Sequence, residues 1–154
     1  MPYEIEKKIE EELLPGISLK GKIDRIDSSD NAYRILDYKT GTVNIGAEII
    51  KKGKELQLPL YAAMLKSRGM NLEKAGIYSL KDIDIKWIPT KRDKFTLDEY
   101  ISSTLKFLKE TILEINKGNF NASPVDEFHC SSCLEAPFCP YIHSKGEIQH
   151  ERLS

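Results

Sequence analysis

The run Gly21-Lys22-Ile23-Asp24-Arg25-Ile26-Asp27-Ser28-Ser29-Asp30-Asn31-Ala32-Tyr33-Arg34-Ile35-Leu36-Asp37-Tyr38-Lys39-Thr40-Gly41 decides how this chain reads. Two apolar, β-branched segments flank a cluster of Ser, Asp and Asn, which is the pattern of a hairpin. The spacing predicts strands over about 17–27 and 33–39, joined by a four-residue loop at 28–31. That parity places Asp24 and Asp37 on one face, opposite or one diagonal step apart, with Cβ atoms within roughly 5–8 Å. Lys39, two residues past Asp37, joins them. Facing carboxylates repel, and Lys39 offsets only part of their charge. A divalent cation with oxygen ligands fits between them. A surface hairpin whose acids point at water carries the same pattern. The chemical reading gains weight from Ile35-Leu36-Asp37-Tyr38-Lys39, an apolar strand ending in an acid and an amine two residues apart. That pairing suits phosphodiester hydrolysis, with a metal activating water and the lysine holding that water or the developing charge.

Further along lie Leu56-Gln57-Leu58-Pro59-Leu60-Tyr61 and the C-x2-C-x5-C run of Cys130, Cys133 and Cys139. Together, Gly21-X-Ile23-Asp24-Arg25-X-Asp27, Asp37-Tyr38-Lys39-Thr40-Gly41, the Gln57-x-x-x-Tyr61 pair and the cysteines resemble the PD-(D/E)XK nuclease superfamily. The resembled branch is the RecB/AddB type, which includes nucleases carrying an iron–sulfur cluster. The likeness spans residues 6 to 141, nearly the whole chain. It implies an α/β fold with a restriction-endonuclease-like core, a mixed and mostly antiparallel central sheet flanked by two main helices. It implies a metal-dependent DNA nuclease using Mg²⁺ or Mn²⁺. Asp24, Asp37, the Tyr38 carbonyl and, on an edge strand, Glu6 would hold the metal. Lys39 would act on the water, and Gln57 and Tyr61 would orient substrate. The cysteines resemble three of the four ligands of a [4Fe–4S] cluster. The fourth cysteine, and a helix with a metal-binding His, would lie upstream. The chain is therefore expected to be the C-terminal piece of a longer exonuclease or helicase–nuclease of DNA repair or recombination, partnered by a helicase domain or subunit. Two other readings stay open. One is a catalytically inactive nuclease-like module that grips DNA or scaffolds a partner. The other is a zinc-stabilised domain using His129 or His143 as a fourth ligand.

The bulk numbers are those of a folded globular domain. At 154 residues the chain is one domain by size, long enough to bury roughly 68–70% of its unfolded surface. The expected division is a core at 1–120 and a loop-rich tail at 121–154. Hydrophobic residues make up 40% and charged ones 31%, which excludes a disordered chain. A net charge of −1 excludes a global polybasic signature, so any nucleic-acid contact needs a local patch. No apolar run is long enough for a membrane span, and the N-terminus lacks a signal-peptide pattern, which makes the cytoplasm the default. Three cysteines packed near the C-terminus do not suggest a secreted disulfide framework.

The remaining segments read as follows. Residues 1–14 fit a helix, through Ile5, Ile9 and Leu13, or a strand. Residues 40–54 read as a mobile loop whose Lys51, Lys52 and Lys54 meet either phosphates or solvent. A helix over 55–68 carries Leu56, Leu60, Ala63 and Met64 as its apolar stripe, Pro59 in its first turn and Gly69 at its end. Gln57 and Tyr61 share one of its faces. A strand covers 74–80, and another alternates Ile83, Ile85 and Trp87 with Asp82, Asp84 and Lys86. Trp87 reads as packing. After the basic loop Lys91-Arg92-Asp93-Lys94, a capping box Thr96-x-x-Glu99 opens a core-facing helix running through Leu97, Tyr100, Ile101, Thr104, Leu105, Leu108, Ile112 and Ile115, closed by Gly118.

Overall fold

The computed structural model describes residues 1–90, 92–122, 124 and 128–144, with the side chains of His129 and Ser144 left aside. Five strands form one sheet in sequence order: β1 Pro2–Leu14, β2 Ile17–Ser29, β3 Ala32–Lys39, β4 Leu72–Ser79 and β5 Asp84–Ile88. Neighbours are antiparallel except β3 and β4, which are parallel. A parallel pair needs a crossover, and α1 Ala47–Lys51 and α2 Gln57–Ser67 supply it. The long helix α3 spans Leu97–Asn116, and two short helices follow, α4 Phe128–Ser131 and α5 Pro140–Ser144. The expected mixed sheet flanked by helices, restriction-endonuclease-like in kind, is what the chain forms. It divides into two compact units, Met1–Glu110 and Thr111–Ser154. No described helix is long and apolar enough to cross a membrane.

The central hairpin is tighter than expected. The loop is two residues, Asp30 and Asn31, with φ of 43° and 74°. Asp and Asn tolerate that left-handed conformation, which a two-residue hairpin turn demands. The register runs from Ser29↔Ala32 to Arg25↔Leu36 and, continued one step, sets Asp24 across from Asp37. The pairing does not continue as a ladder. Ile23 and Ile26 are both fully buried in the same core, yet residues three apart face opposite sides of a regular strand. The in–out alternation of β2 is therefore broken at Asp24 and Arg25, while its register with β1 stays continuous there. Opposite the break, Glu6 of β1 has φ 52°. β2 thus leaves β3 at Asp24, whose Oδ2 accepts the Tyr38 N–H at 2.9 Å in place of a strand partner.

Residues 1–14 form an edge strand rather than a helix. Ile9 is buried but Ile5 is 71% exposed, so the four-residue apolar spacing did not mark a core face. In α2 the buried residues are Leu58, Pro59, Ala62, Ala63, Met64 and Leu65. The expected stripe was wrong at Leu56, which sits at the N-cap, and at Leu60, which is half-buried. Gln57 and Tyr61 take the sheet-facing side, and that turns the residues just before them away. Pro59 fits because the third helical N–H has no intrahelical acceptor. Each fully buried Leu, Ile or Met here contributes about 1.5–3 kcal/mol.

Three other expectations change. Residues 40–54 contain α1, whose Ile50 is buried in the core; five helical residues are too few for periodicity to show. Ile83 is not in β5 but in the preceding turn, at φ 53° and 78% exposed. Trp87 does pack: its ring lies over Gly76, where a Cβ would meet Cε3 at 2.7 Å. In α3 the capping box forms, with Glu99 N–H donating to Thr96 Oγ1 at 3.3 Å and Thr96 N–H to Glu99 Oε2 at 2.6 Å. Within α3 the buried residues are Leu97, Tyr100, Ile101 and Thr104, and Ile115 is exposed, so the expected apolar run is not buried along its whole length.

Candidate active site

The site is built where β3 ends under the first turn of α2. Asp37 shares a face of β3 with buried Ile35 and is itself 5% exposed. Its Oδ1 accepts Gln57 Nε2 at 2.8 Å. Lys39 Nζ lies 2.8 Å from Asp37 Oδ2 and donates to Gln57 Oε1 at 3.0 Å. The three side chains close a triangle. The Gln57 amide is oriented by it, with nitrogen toward the carboxylate and oxygen toward the ammonium. Gln57 is the first residue of α2, and its N–H donates to Glu55 Oε1 at 3.1 Å. One turn on, the Tyr61 hydroxyl lies 3.5 Å from Gln57 Nε2 and accepts the Lys22 N–H at 3.2 Å.

The electrostatics follow from these contacts. The Asp37 carboxylate beside Lys39 raises the lysine above its ordinary value; burial opposes this, and the charges of Glu55 and Asp24 add to the rise. Lys39 is therefore an ammonium at neutral pH. Asp37 Oδ2 is buried and accepts no hydrogen bond. Lys39 Nζ nonetheless stands 2.8 Å from it and pairs with its charge. A hard cation with oxygen ligands would compete with the ammonium for that oxygen. Asp24, Asp37 and the Tyr38 carbonyl are all oxygen donors, the set that suits Mg²⁺ or Mn²⁺. Among the described residues no group of three or more His, Cys, Asp or Glu side chains gathers to hold a metal. A cation here would find two carboxylates and a main-chain carbonyl.

The structure brings together Asp37, Lys39, Gln57 and Tyr61, and joins Asp24 to them through the Tyr38 N–H. It does not bring Glu6. That residue lies across from Asp24 in the β1–β2 register, but its side chain is 73% exposed and pairs with Lys22 Nζ at 3.0 Å. The positive φ at Glu6 turns it outward. Nor do the cysteines form a ligand group among the described residues. Cys130, Cys133 and Cys139 are thiols outside any disulfide, on short helices and turns, and His143 Nε2 is 2.8 Å from the Pro137 carbonyl oxygen. The His129 side chain lies outside the described residues. Sequence reasoning missed Glu55, though an acid just before a helix start is a recognisable capping signal.

A family model for the PD-(D/E)XK nuclease superfamily matches residues 1–140 of the chain. No curated protein matches it.

Proposed function

The chain belongs to the PD-(D/E)XK nuclease superfamily, and from that premise we propose that it is a deoxyribonuclease whose Asp24, Asp37 and Tyr38 carbonyl hold Mg²⁺ or Mn²⁺. When bound, the ion supplies Lewis-acid polarisation of the scissile phosphate and an acidified water. Asp37 is locked for its part by Gln57 at Oδ1, and Oδ2, now facing Lys39 Nζ at 2.8 Å, is the oxygen offered to the ion. Lys39 stays protonated and so serves as a cation. It holds the attacking water or the charge that builds on phosphate oxygens. Gln57 fixes both partners, and Tyr61 carries its hydroxyl toward the same face. Glu6, engaged with Lys22, has no part in the ligand set. The resemblance to the RecB/AddB branch supports a place in an exonuclease or helicase–nuclease of DNA repair or recombination. The cysteines, which gather no ligand group among the described residues, bring no cluster to the proposal.

The observation that carries this reading is the Asp37–Gln57–Lys39 triangle, with Asp24 joined to it through the Tyr38 N–H. The test is cleavage of end-labelled linear DNA with Mn²⁺. Asp37→Asn and Lys39→Ala should each lose about 100-fold or more in rate while keeping the wild-type circular dichroism spectrum. Wild-type rates in either variant would refute the assignment. A folded wild type that binds DNA and never cleaves it would favour the inactive binding module.

A further inference from the structure

Two segments distant in sequence meet beside the first turn of α2, and both bring cations to the surface. Lys51, at the end of α1, holds its Nζ 4.3 Å from the centre of the Phe95 ring. That contact ties α1 to the segment before α3. Gly53 follows at φ +71°, packed so closely on Phe107 that a Cβ would stand 2.6 Å from Cζ. Around these anchors Lys52, Lys54, Arg92 and Lys94 are all exposed.

The acids nearby have contacts of their own. Asp93 is turned inward, its Oδ2 accepting the Thr90 N–H and the Tyr100 hydroxyl, each at 2.8 Å. Glu55 accepts the Gln57 N–H. Glu48, 3.8 Å from Lys51 Nζ, offsets part of one cation. Lys54 precedes Gln57 by three residues, so their Cα atoms lie within about 11 Å. Lys54 therefore adjoins the Asp37 site, and the Lys51–Phe95 contact brings the 92–94 segment to the same α1 surface.

We propose that Lys51, Lys52, Lys54, Arg92 and Lys94 form a phosphate-binding ridge that grips the backbone of the nucleic-acid strand entering the site. This rests on the nuclease reading. The chain as a whole carries a charge of −1 and offers a polyanion no general attraction, so the attraction must be local. A strand presents a phosphate about every 3.4 Å of helix axis, and a ridge of this reach meets several. Ammonium and guanidinium groups read phosphate rather than base edges, so the grip is indifferent to sequence.

The test separates grip from cleavage. Binding of a labelled oligonucleotide is measured by fluorescence anisotropy from 50 to 200 mM salt, with Asp37→Asn as background so that nothing is cut. Adding Lys52→Gln, Lys54→Gln, Arg92→Gln and Lys94→Gln should flatten the slope of log K against log salt by about three to four, near one per cation removed. A charge-matched set on other strands and helices, Lys20→Gln, Lys74→Gln, Lys86→Gln and Lys117→Gln, should change it by about one or less. If the ridge set fails to fold, Lys52→Gln with Lys94→Gln should still flatten the slope by about two. An unchanged slope in the ridge set, or an equal loss in the control set, overturns the ridge. So does binding of polyglutamate, in place of DNA, that depends on these residues. Failure of the nuclease reading shows elsewhere, as absence of Mn²⁺-dependent cleavage by the unmodified protein.

Discussion

Gly21 and Tyr61 are packed so tightly that no side chain fits between them: a Cβ on Gly21 would stand 2.3 Å from Tyr61 Cε1. The glycine thus seats the ring whose hydroxyl takes the Lys22 N–H at 3.2 Å. Tyr61 in turn is one helical turn from Gln57, which joins Asp37 to Lys39. Gly21→Ala should cost about 1–3 kcal/mol, the usual penalty for overpacking. It should also slow cleavage by disturbing that turn. In a Tyr61→Ala background the same substitution should cost well under half as much, since the clash is gone. Urea denaturation of the four proteins measures the coupling; equal costs in both backgrounds would show that the ring is not what the glycine accommodates.

Gln57 sits between opposite charges, and its amide satisfies both. Gln57→Glu sets a carboxylate oxygen where Nε2 now lies 2.8 Å from Asp37 Oδ1. Two such carboxylates cannot both ionise easily, so one takes up a proton at higher pH than usual. The variant should cleave at least about 10-fold more slowly at pH 7. It should recover part of that loss toward pH 5, where the protonated carboxyl donates to Asp37 as the amide does. A pH–rate profile parallel to the wild type would contradict this.

Lys39 gives a pH prediction with a definite sign. Its folded-state value is raised above the ordinary 10.5 by the Asp37 carboxylate. Whatever stability the ammonium contributes is therefore fully present below the ordinary lysine value and fades as pH climbs through the higher folded one. The difference in urea midpoint between wild type and Lys39→Met should stay constant from pH 7 to about 10 and shrink only above it. A difference that fades between pH 8 and 10 would mean the lysine is not held by Asp37.

The hairpin and its acids were legible because strand parity and turn chemistry act over a few residues. Asp24, Asp37 and Lys39 follow from counting by twos, and a change of loop from four residues to two left that count intact. The Gln57–Tyr61 face followed from helical spacing. What stayed hidden depended on distant partners. The broken alternation in β2 at Asp24 shows only as burial of both Ile23 and Ile26. The rotation of α2 is set by where Gln57 must reach, which hydrophobicity alone mistook at Leu56 and Leu60. Glu6 was misplaced because its backbone turns to positive φ, a feature its residue type does not announce. The meeting of Lys51 with Phe95 joins segments that sequence order keeps apart.

Thr104 offers a check on the packing of α3. It is 1% exposed, and its Oγ1 is buried with no hydrogen-bond partner. A hydroxyl in that state costs about 1 kcal/mol or more, while Thr and Val differ little in helix propensity. Thr104→Val should therefore raise the melting temperature by about 2–4 °C. A fall would mean that the hydroxyl has a partner in solution.

In the proposed site Asp37, bound at Oδ1 by Gln57, turns Oδ2 from the Lys39 ammonium to a divalent cation shared with Asp24. Titration of Mn²⁺ into the purified chain, followed by the loss of the free-ion electron paramagnetic resonance signal, tests it most directly. The account predicts saturable binding in the wild type that disappears in both Asp24→Asn and Asp37→Asn, with each variant still folded. No binding in the wild type, or equal binding in all three proteins, would contradict it.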